Sequence, residues 1–337
     1  MRRDGNKDWG VGVRVACVLA CLGVLAAGGA DAGDSSSPAA LNPPAEGRAL
    51  DPNRWFDFIA GLFAVPQDAN KAKNKDQYTV FNPTPPALMR ELTTDRPDNT
   101  ESPFTVDAGH FQTETTLFGY TRSDRSPDGS VSDSYEFGTT DLRMGLTNSA
   151  EMNLIWQPYG IVRTHAPNPT DSMLQSGIGG LEIRGKINLW GGDAFENPGS
   201  TAFALLPFIS VPTDRGNGVS PDAVEGGLIL PYAIKLTETF DITMNAGVEA
   251  IHNDGGAGYH PRYIASASLG HDWTEQLTIY YEVYAELAPA SNFDVVLLST
   301  GVTYQVTKNV QFDSGINLGV TPAADRFNPF VGASFRF

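Results

Sequence analysis

The feature that most constrains this chain is a series of twelve segments, each roughly ten to fifteen residues long, in which apolar and polar side chains alternate with period two. They fall near 108–121, 134–146, 151–163, 177–190, 202–211, 225–236, 240–251, 261–272, 277–287, 294–305, 310–320 and 327–337. In the ninth, Leu277, Ile279, Tyr281, Val283, Ala285 and Leu287 share one face, and Thr278, Tyr280, Glu282, Tyr284 and Glu286 share the other. In the seventh, Phe240, Ile242, Met244, Ala246, Val248 and Ala250 oppose Asp241, Thr243, Asn245, Gly247 and Glu249. In the fourth, Leu181, Ile183, Ile187 and Leu189 oppose Glu182, Arg184, Lys186 and Asn188. A soluble β-sandwich also alternates, so periodicity alone leaves two architectures open.

The connections separate them. Every second one is tight: Thr147-Asn148-Ser149-Ala150, Thr237-Glu238-Thr239, Thr274-Glu275-Gln276 and Thr307-Lys308-Asn309. The intervening ones, such as 122–133, 165–176, 212–224 and 252–260, are longer and rich in Gly, Pro, Asp and Asn. Tight turns on one side and long loops on the other are the layout of a transmembrane barrel. The stretch 191–200 departs from it, being long on the tight side. The expected fold is therefore all-β: an antiparallel up-and-down transmembrane β-barrel of about twelve strands over 107–337, after a mostly irregular N-terminal extension. An even strand count puts both barrel ends, and hence the extension and the C-terminus, on the tight-turn, periplasmic side.

Composition agrees. With 41% hydrophobic and 18% charged residues, the chain lacks the several apolar runs of ~20 residues of a helical membrane protein. A barrel keeps mean hydropathy unremarkable because its lumen face is polar, and here the mean hydropathy is -0.20. A net charge of -16 argues against a nucleic-acid partner, which would require a cationic surface.

The two ends of the chain carry further cues. The start reads as an export signal over 1–32: Arg2, Arg3, Lys7 and Arg14, then an uncharged run from Val15 to Ala30, then Ala30-Asp31-Ala32 before Gly33. A lipoprotein-like box, Val18-Leu19-Ala20-Cys21, lies within that run, and the only cysteines are Cys17 and Cys21. Cleavage after Ala32 leaves a mature chain with no thiol, hence no disulfide and no cysteine ligand. The extension 33–106 opens as a Ser-, Pro- and Ala-rich linker, with an apolar island that predicts a short helix near 53–64. That helix either packs on the main domain or forms a plug or periplasmic contact. At the other end, Phe327, Val331, Ala333, Phe335 and Phe337 alternate with Asn328, Gly332, Ser334 and Arg336. An aromatic C-terminus on an alternating last strand resembles the assembly signal of bacterial outer-membrane proteins. It implies outer-membrane lipid and the barrel assembly machinery as partners. Phe335 and Phe337 facing lipid turns Arg336 inward, where it is expected to pair with acidic lumen groups.

The segment before the first strand goes further than architecture. Thr94-Asp95-Arg96-Pro97-Asp98, then Ser102-Pro103, then Gly109-His110-Phe111-Gln112-Thr113-Glu114 resembles the opening of the MetA-pathway of phenol degradation family. Weaker likeness continues through 140–147 and 176–181. The resemblance implies an outer-membrane barrel and passage of small hydrophobic or aromatic compounds. On its own chemistry, the run from Asp95 to Glu101 is too polar for a lipid-facing strand. It either enters the periplasmic mouth and pairs with lumen charges such as Arg143, Arg184, Lys186 or Arg336, or forms a solvated turn.

Catalytic and metal chemistry find little support. His110, His165, His252, His260 and His271 show no helical metal spacing. An outer-membrane lipase would need Ser and His within reach of one another. Ser266 and Ser268 share a strand with His271, but the odd spacing turns His271 to the other face, and no Gly-x-Ser-x-Gly elbow occurs. No enzyme activity, cofactor or metal is expected. The polar strand faces offer a pore lining: Glu114, Asp141, Arg143, Glu182, Arg184, Lys186, Lys235, Asp241, Glu249, Tyr280, Glu282, Tyr284, Glu286, Asp313 and Arg336. Their mixed signs point to an internally paired lumen rather than a single-sign filter. Two functions follow: a channel for small, hydrophobic or aromatic solutes, or a structural or assembly barrel with a filled lumen.

Overall fold

A computed structural model describes residues 75–253, 256–288 and 294–337. The expected signal at 1–32, the linker after it and the helix near 53–64 lie outside these residues. Among the described residues, twelve antiparallel strands follow one another around a closed ring. They are β1 (Phe111–Arg122), β2 (Val131–Phe137, continued by Thr139–Thr147), β3 (Ala150–Trp156 and Tyr159–His165) and β4 (Met173–Gly177 and Leu181–Trp190). Then come β5 (Thr201–Val211), β6 (Glu225–Lys235), β7 (Phe240–His252) and β8 (Tyr259–Asp272). The last are β9 (Leu277–Leu287), β10 (Val295–Thr307), β11 (Val310–Gly319) and β12 (Phe327–Arg336). Pairing of β12 with β1, from Gln112↔Arg336 to Arg122↔Phe327, closes the barrel and removes the sheet edges. Each of the twelve segments read from the alternation is a strand. The largest shift of a start is in β4, which begins at Met173 rather than near 177.

The radial order of polarity is inverted relative to a soluble protein. Arg143 and Lys186 have no exposed surface, and Glu114, Glu151, Glu282 and Asp313 are buried inside the ring. Ile183, Ile187, Leu189, Tyr281, Phe312, Val331 and Phe335 are exposed on its outside. Only a hydrocarbon surround stabilises such a surface, because contiguous apolar patches of this extent are not kept in water. Aromatic rings mark both rims of the apolar band. At the long-loop end Phe118 lies 5.5 Å from Phe137, and Phe137 lies 6.2 Å from Tyr159. At the tight-turn end Phe111 stacks on Phe337 at 5.9 Å, Trp190 meets Phe203 at 4.9 Å and Phe240 stacks on His271 at 4.0 Å.

Strands β2, β3 and β4 are each interrupted, the first at Gly138, whose φ of 69° suits glycine. The outer half of β2 pairs with the outer end of β1, Gly119–Arg122, the outer half of β3 pairs with that of β2, and that of β4 with that of β3. The free side of β4 there is held by the loop after β5: the Thr213 hydroxyl donates to Gly179 O (2.6 Å) and Asn217 Nδ2 donates to Ile178 O (2.9 Å).

Residues 75–90 dress the tight-turn end. Val80 N donates to Leu146 O (2.9 Å), and Lys75 pairs with Asp107 (3.1 Å) and Asp193 (2.6 Å). The unusually long 191–200 connection thereby acquires a reason: Asp193 takes Lys75, and Phe195 packs its ring 5.0 Å from Phe104. From Leu92 to Val106 the chain runs into the ring and out again. Gly145 of β2 makes room for its return. A Cβ there would stand 2.6 Å from Val106 O and against the Asp107 carbonyl, both backbone atoms that cannot rotate away. We therefore expect Gly145→Val to destabilise the folded barrel by about 1–3 kcal/mol, read as a lower temperature for loss of the heat-resistant band in detergent gels.

Candidate functional site

The site is the lumen together with the segment Thr94–Val106 inside it. Local chemistry shapes that segment before the wall touches it. Pro97 and Pro103 restrict the backbone, and Thr94 Oγ1 donates to Arg96 O (2.6 Å). Ser102 donates to Asp95 Oδ1 from both N (3.0 Å) and Oγ (2.6 Å), tying the ascending arm to the descending one. Leu92, Val106 and Ala108 are buried at its base.

Three charged contacts then fix it. Asp95 sits between two buried cations, 2.5 Å from Lys186 Nζ and 3.0 Å from Arg143 NH1. Arg143 also reaches Glu114 (2.6 Å) and Glu151 (2.8 Å) and donates to Phe104 O (3.0 Å), so every face of its fork is used. Arg96 forks onto Asp313 through Nε (3.2 Å) and NH2 (2.7 Å), and its NH1 donates to Thr116 (2.5 Å). Its guanidinium lies 5.6 Å from the centre of the Phe330 ring, directly over Gly332. Glu101 pairs with Arg184, which also holds Glu182. At the tip, Asn99 Nδ2 donates to Glu282 (2.8 Å), the Thr100 hydroxyl donates to Glu282 (2.7 Å) and meets Ser266 Oγ (2.9 Å), and Asn245 brackets Glu101 N and O at 2.7 and 2.9 Å.

Burial alone would raise the Asp95 carboxyl, but the charges of Arg143 and Lys186 override it and hold the group well below the ordinary carboxylate range. Asp98 has no such help. Burial, reinforced by the Glu282 carboxylate, pushes it well above its ordinary value. Removing one partner of a buried pair leaves an uncompensated charge and costs ~3–5 kcal/mol, so the Asp95 cluster is the firmest part of the attachment.

The remaining lumen positions fall on either side of this segment. Arg262 bridges Glu249 (2.5 Å) and Glu286 (3.0 Å), and Tyr284 donates to Glu286 (3.0 Å). Asp141 accepts from Asn153 (3.1 Å). An apolar strip of Leu206, Ile229 and Ile264, with Phe208 and Tyr284 against it, also faces inward. On the tight-turn side, a chamber of about 720 Å³ lies between the inserted segment and the wall that carries Lys235, Asp241 and Tyr280. Arg336 departs from expectation. It points inward but takes no carboxylate, donating instead to Asn309 Oδ1 (3.0 Å), Arg90 O (2.8 Å) and Lys308 O (3.2 Å). It ends one residue from the chain terminus, at the rim, where turn carbonyls are nearer than the lumen acids.

The motif residues after the segment have local reasons. Gly109 adopts φ 77° against Pro83. His110 Nε2 lies 2.7 Å from Thr84 O, and Gln112 Nε2 donates to Thr93 O (2.8 Å). The expected pore lining omits Glu151, Arg262, Asn245 and Ser266, the last two being read only as a polar-face residue and a candidate nucleophile. All four sit on polar faces of alternating strands, so the inward parity that marks Glu282 would also have marked them.

A ring of twelve strands, apolar outside and ion-paired within, is a transmembrane β-barrel of the outer-membrane type. By sequence the chain belongs to the family described as "Putative MetA-pathway of phenol degradation", matched over residues 94–337. That match begins at the first residue of the inserted segment. No curated protein matches the sequence. Among solved structures, the COG4313 outer membrane channel from Pseudomonas putida F1 shares the fold at a TM-score of 0.56 and 10% identity, over 73% of this chain and 100% of that one. Lower similarity is seen to the NanC porin (TM-score 0.43, 7% identity, 66% and 98% covered). The translocator domain of autotransporter NalP from Neisseria meningitidis is comparable (TM-score 0.44, 10% identity, 67% and 88% covered).

The charges inside the segment make its docking pH-dependent. The Asp98 carboxyl lies above its ordinary value when docked, so docking is strongest when Asp98 is protonated and weakens as pH rises through the docked value. Asp95, held low, adds no slope in that range. Above about pH 5 the wild-type melting temperature should fall with rising pH, through Asp98 and, in the same direction, Glu101, and Asp98→Asn should flatten that fall. An unchanged slope in the variant would contradict the assignment.

Proposed function

We propose that this chain is an outer-membrane channel for small solutes, closed in the described state by its own segment Thr94–Val106. The observation that carries the reading is how that segment is held. Among the described residues, no backbone–backbone hydrogen bond joins 94–106 to the barrel wall. Every polar contact with the wall involves at least one side chain, so the segment can leave without breaking a β-ladder. Strand parity supports a periplasmic extension and C-terminus, which places the exit of the segment on the periplasmic side. The family description and the inward strip of Leu206, Ile229, Ile264, Phe208 and Tyr284 support apolar or aromatic solutes. The second reading is a structural barrel that never opens, and the number of buried ion pairs on Asp95, Arg96 and Glu101 favours it.

Planar-bilayer recordings separate the two. Arg96→Glu reverses the charge facing Asp313. Gly332→Leu leaves the segment's sequence intact, but its Cβ would stand 2.6 Å from the Arg96 guanidinium carbon. Both variants should raise mean conductance several-fold over wild type, and millimolar phenol should reduce the added current. Two folded variants that conduct no better than wild type would support the permanently filled barrel instead.

A further inference from the structure

The chamber on the tight-turn side has a wall, carrying Lys235, Asp241 and Asp272, that takes no part in the contacts holding the segment. We infer that it binds a small organic cation, an ammonium group carried on an apolar or aromatic body. Its use in transport rests on the channel reading above, but binding itself does not.

Charge comes first. Asp241 and Asp272 line the chamber, and among the described residues neither is in an ion pair; Asp98, protonated when docked, lines it as well. Lys235 is the cation on that wall. The cations on the opposite side are already committed: Lys75 to Asp107 and Asp193, Arg90 to Asp107, and Arg96 to Asp313. The uncommitted field is therefore negative, and low-dielectric walls concentrate it. An anion entering would meet the Asp241 and Asp272 carboxylates and one ammonium.

Two further observations point to a ligand rather than to acidity alone. Tyr280 lines the chamber and is 5% exposed, yet its hydroxyl has no hydrogen-bond partner. A buried hydroxyl without a partner costs free energy, and an N–H donor arriving from the chamber would remove that cost. The Phe104 and Phe195 rings, 5.0 Å apart and edge to face, also line it. Aromatic faces and carboxylates together attract organic ammonium groups, the rings through their quadrupole and their apolar area. A volume near 720 Å³ suits a molecule of one or two rings.

The test is calorimetric titration of the folded full-length protein in zwitterionic detergent with benzylammonium, benzyl alcohol and benzoate. Benzylammonium should bind saturably at one per barrel and at least tenfold more tightly than the other two. Asp241→Asn with Asp272→Asn should weaken it at least tenfold, and Tyr280→Phe should weaken it several-fold. Lys235→Gln, which removes a like charge and keeps the carboxylates, should tighten it. That variant keeps the test decisive if the double substitution does not fold. Benzoate or benzyl alcohol binding as tightly, no effect of any substitution, or no binding of benzylammonium would each overturn the inference. Because titration is on the closed barrel, a channel that never conducts would leave this result standing.

Discussion

The structure depends on one requirement: the most deeply buried charges of the lumen need partners within reach. Around ~8 strands, facing side chains fill the interior, and around ~16 they leave a water channel. A ring of twelve lies between. Its inward groups satisfy one another only in part, between neighbouring strands, as Arg262 does with Glu249 and Glu286. Asp95, Arg96 and Glu101 meet that need, one for each cationic or acidic cluster on the wall. The inserted segment is thus the missing half of the lumen's electrostatics. Without Asp95, Arg143 would keep Glu114 and Glu151. A Lys186 without Asp95 would keep only Glu151, at 3.6 Å.

That requirement explains choices elsewhere in the chain. Gly332 stands where the Arg96 guanidinium lies, and Gly145 where the segment's backbone returns. A side chain at either place would collide with the segment rather than with the wall. The 191–200 connection is long because it covers the foot of the segment, and the turn at Asn148 joins it through a 2.5 Å bond to Asp193. The network also differs across the lumen. On the side of β1–β4, β11 and β12 the segment is clamped by ion pairs. Toward β7–β9 only hydrogen bonds from the tip, at Asn99, Thr100 and Glu101, hold it.

Much of this was legible in the sequence because a membrane barrel writes its geometry locally. Period two shows which residues face inward, and turn length shows which end they are near. Alternation in 177–190 put Arg184 and Lys186 in the lumen, and the charge of 95–101 suggested partners for them. The pairs Asp95–Lys186, Asp95–Arg143 and Glu101–Arg184 followed. What local pattern could not show is depth and register between distant strands. Asp313 read as lumen lining, but its partner, Arg96, comes from 217 residues away. Arg336 read correctly as inward, yet its height on β12 places it among turn carbonyls instead of acids. The breaks in β2–β4 are not legible in the sequence, since Gly138 and Gly179 resemble ordinary strand glycines until Pro158 is seen beside the first and the loop after β5 beside the second.

The tip of the segment lies against β8 and β9 inside the lumen. Thr100 and Ser266 hydroxyls are 2.9 Å apart, although the residues are 166 positions apart in sequence. In a background with Cys17→Ser and Cys21→Ser, Thr100→Cys with Ser266→Cys should form a disulfide during export. It would be detected as a protease-cleaved protein that stays joined until reduced. Free thiols in the folded barrel, both reactive with a small maleimide under oxidising conditions, would show that the segment does not occupy the lumen.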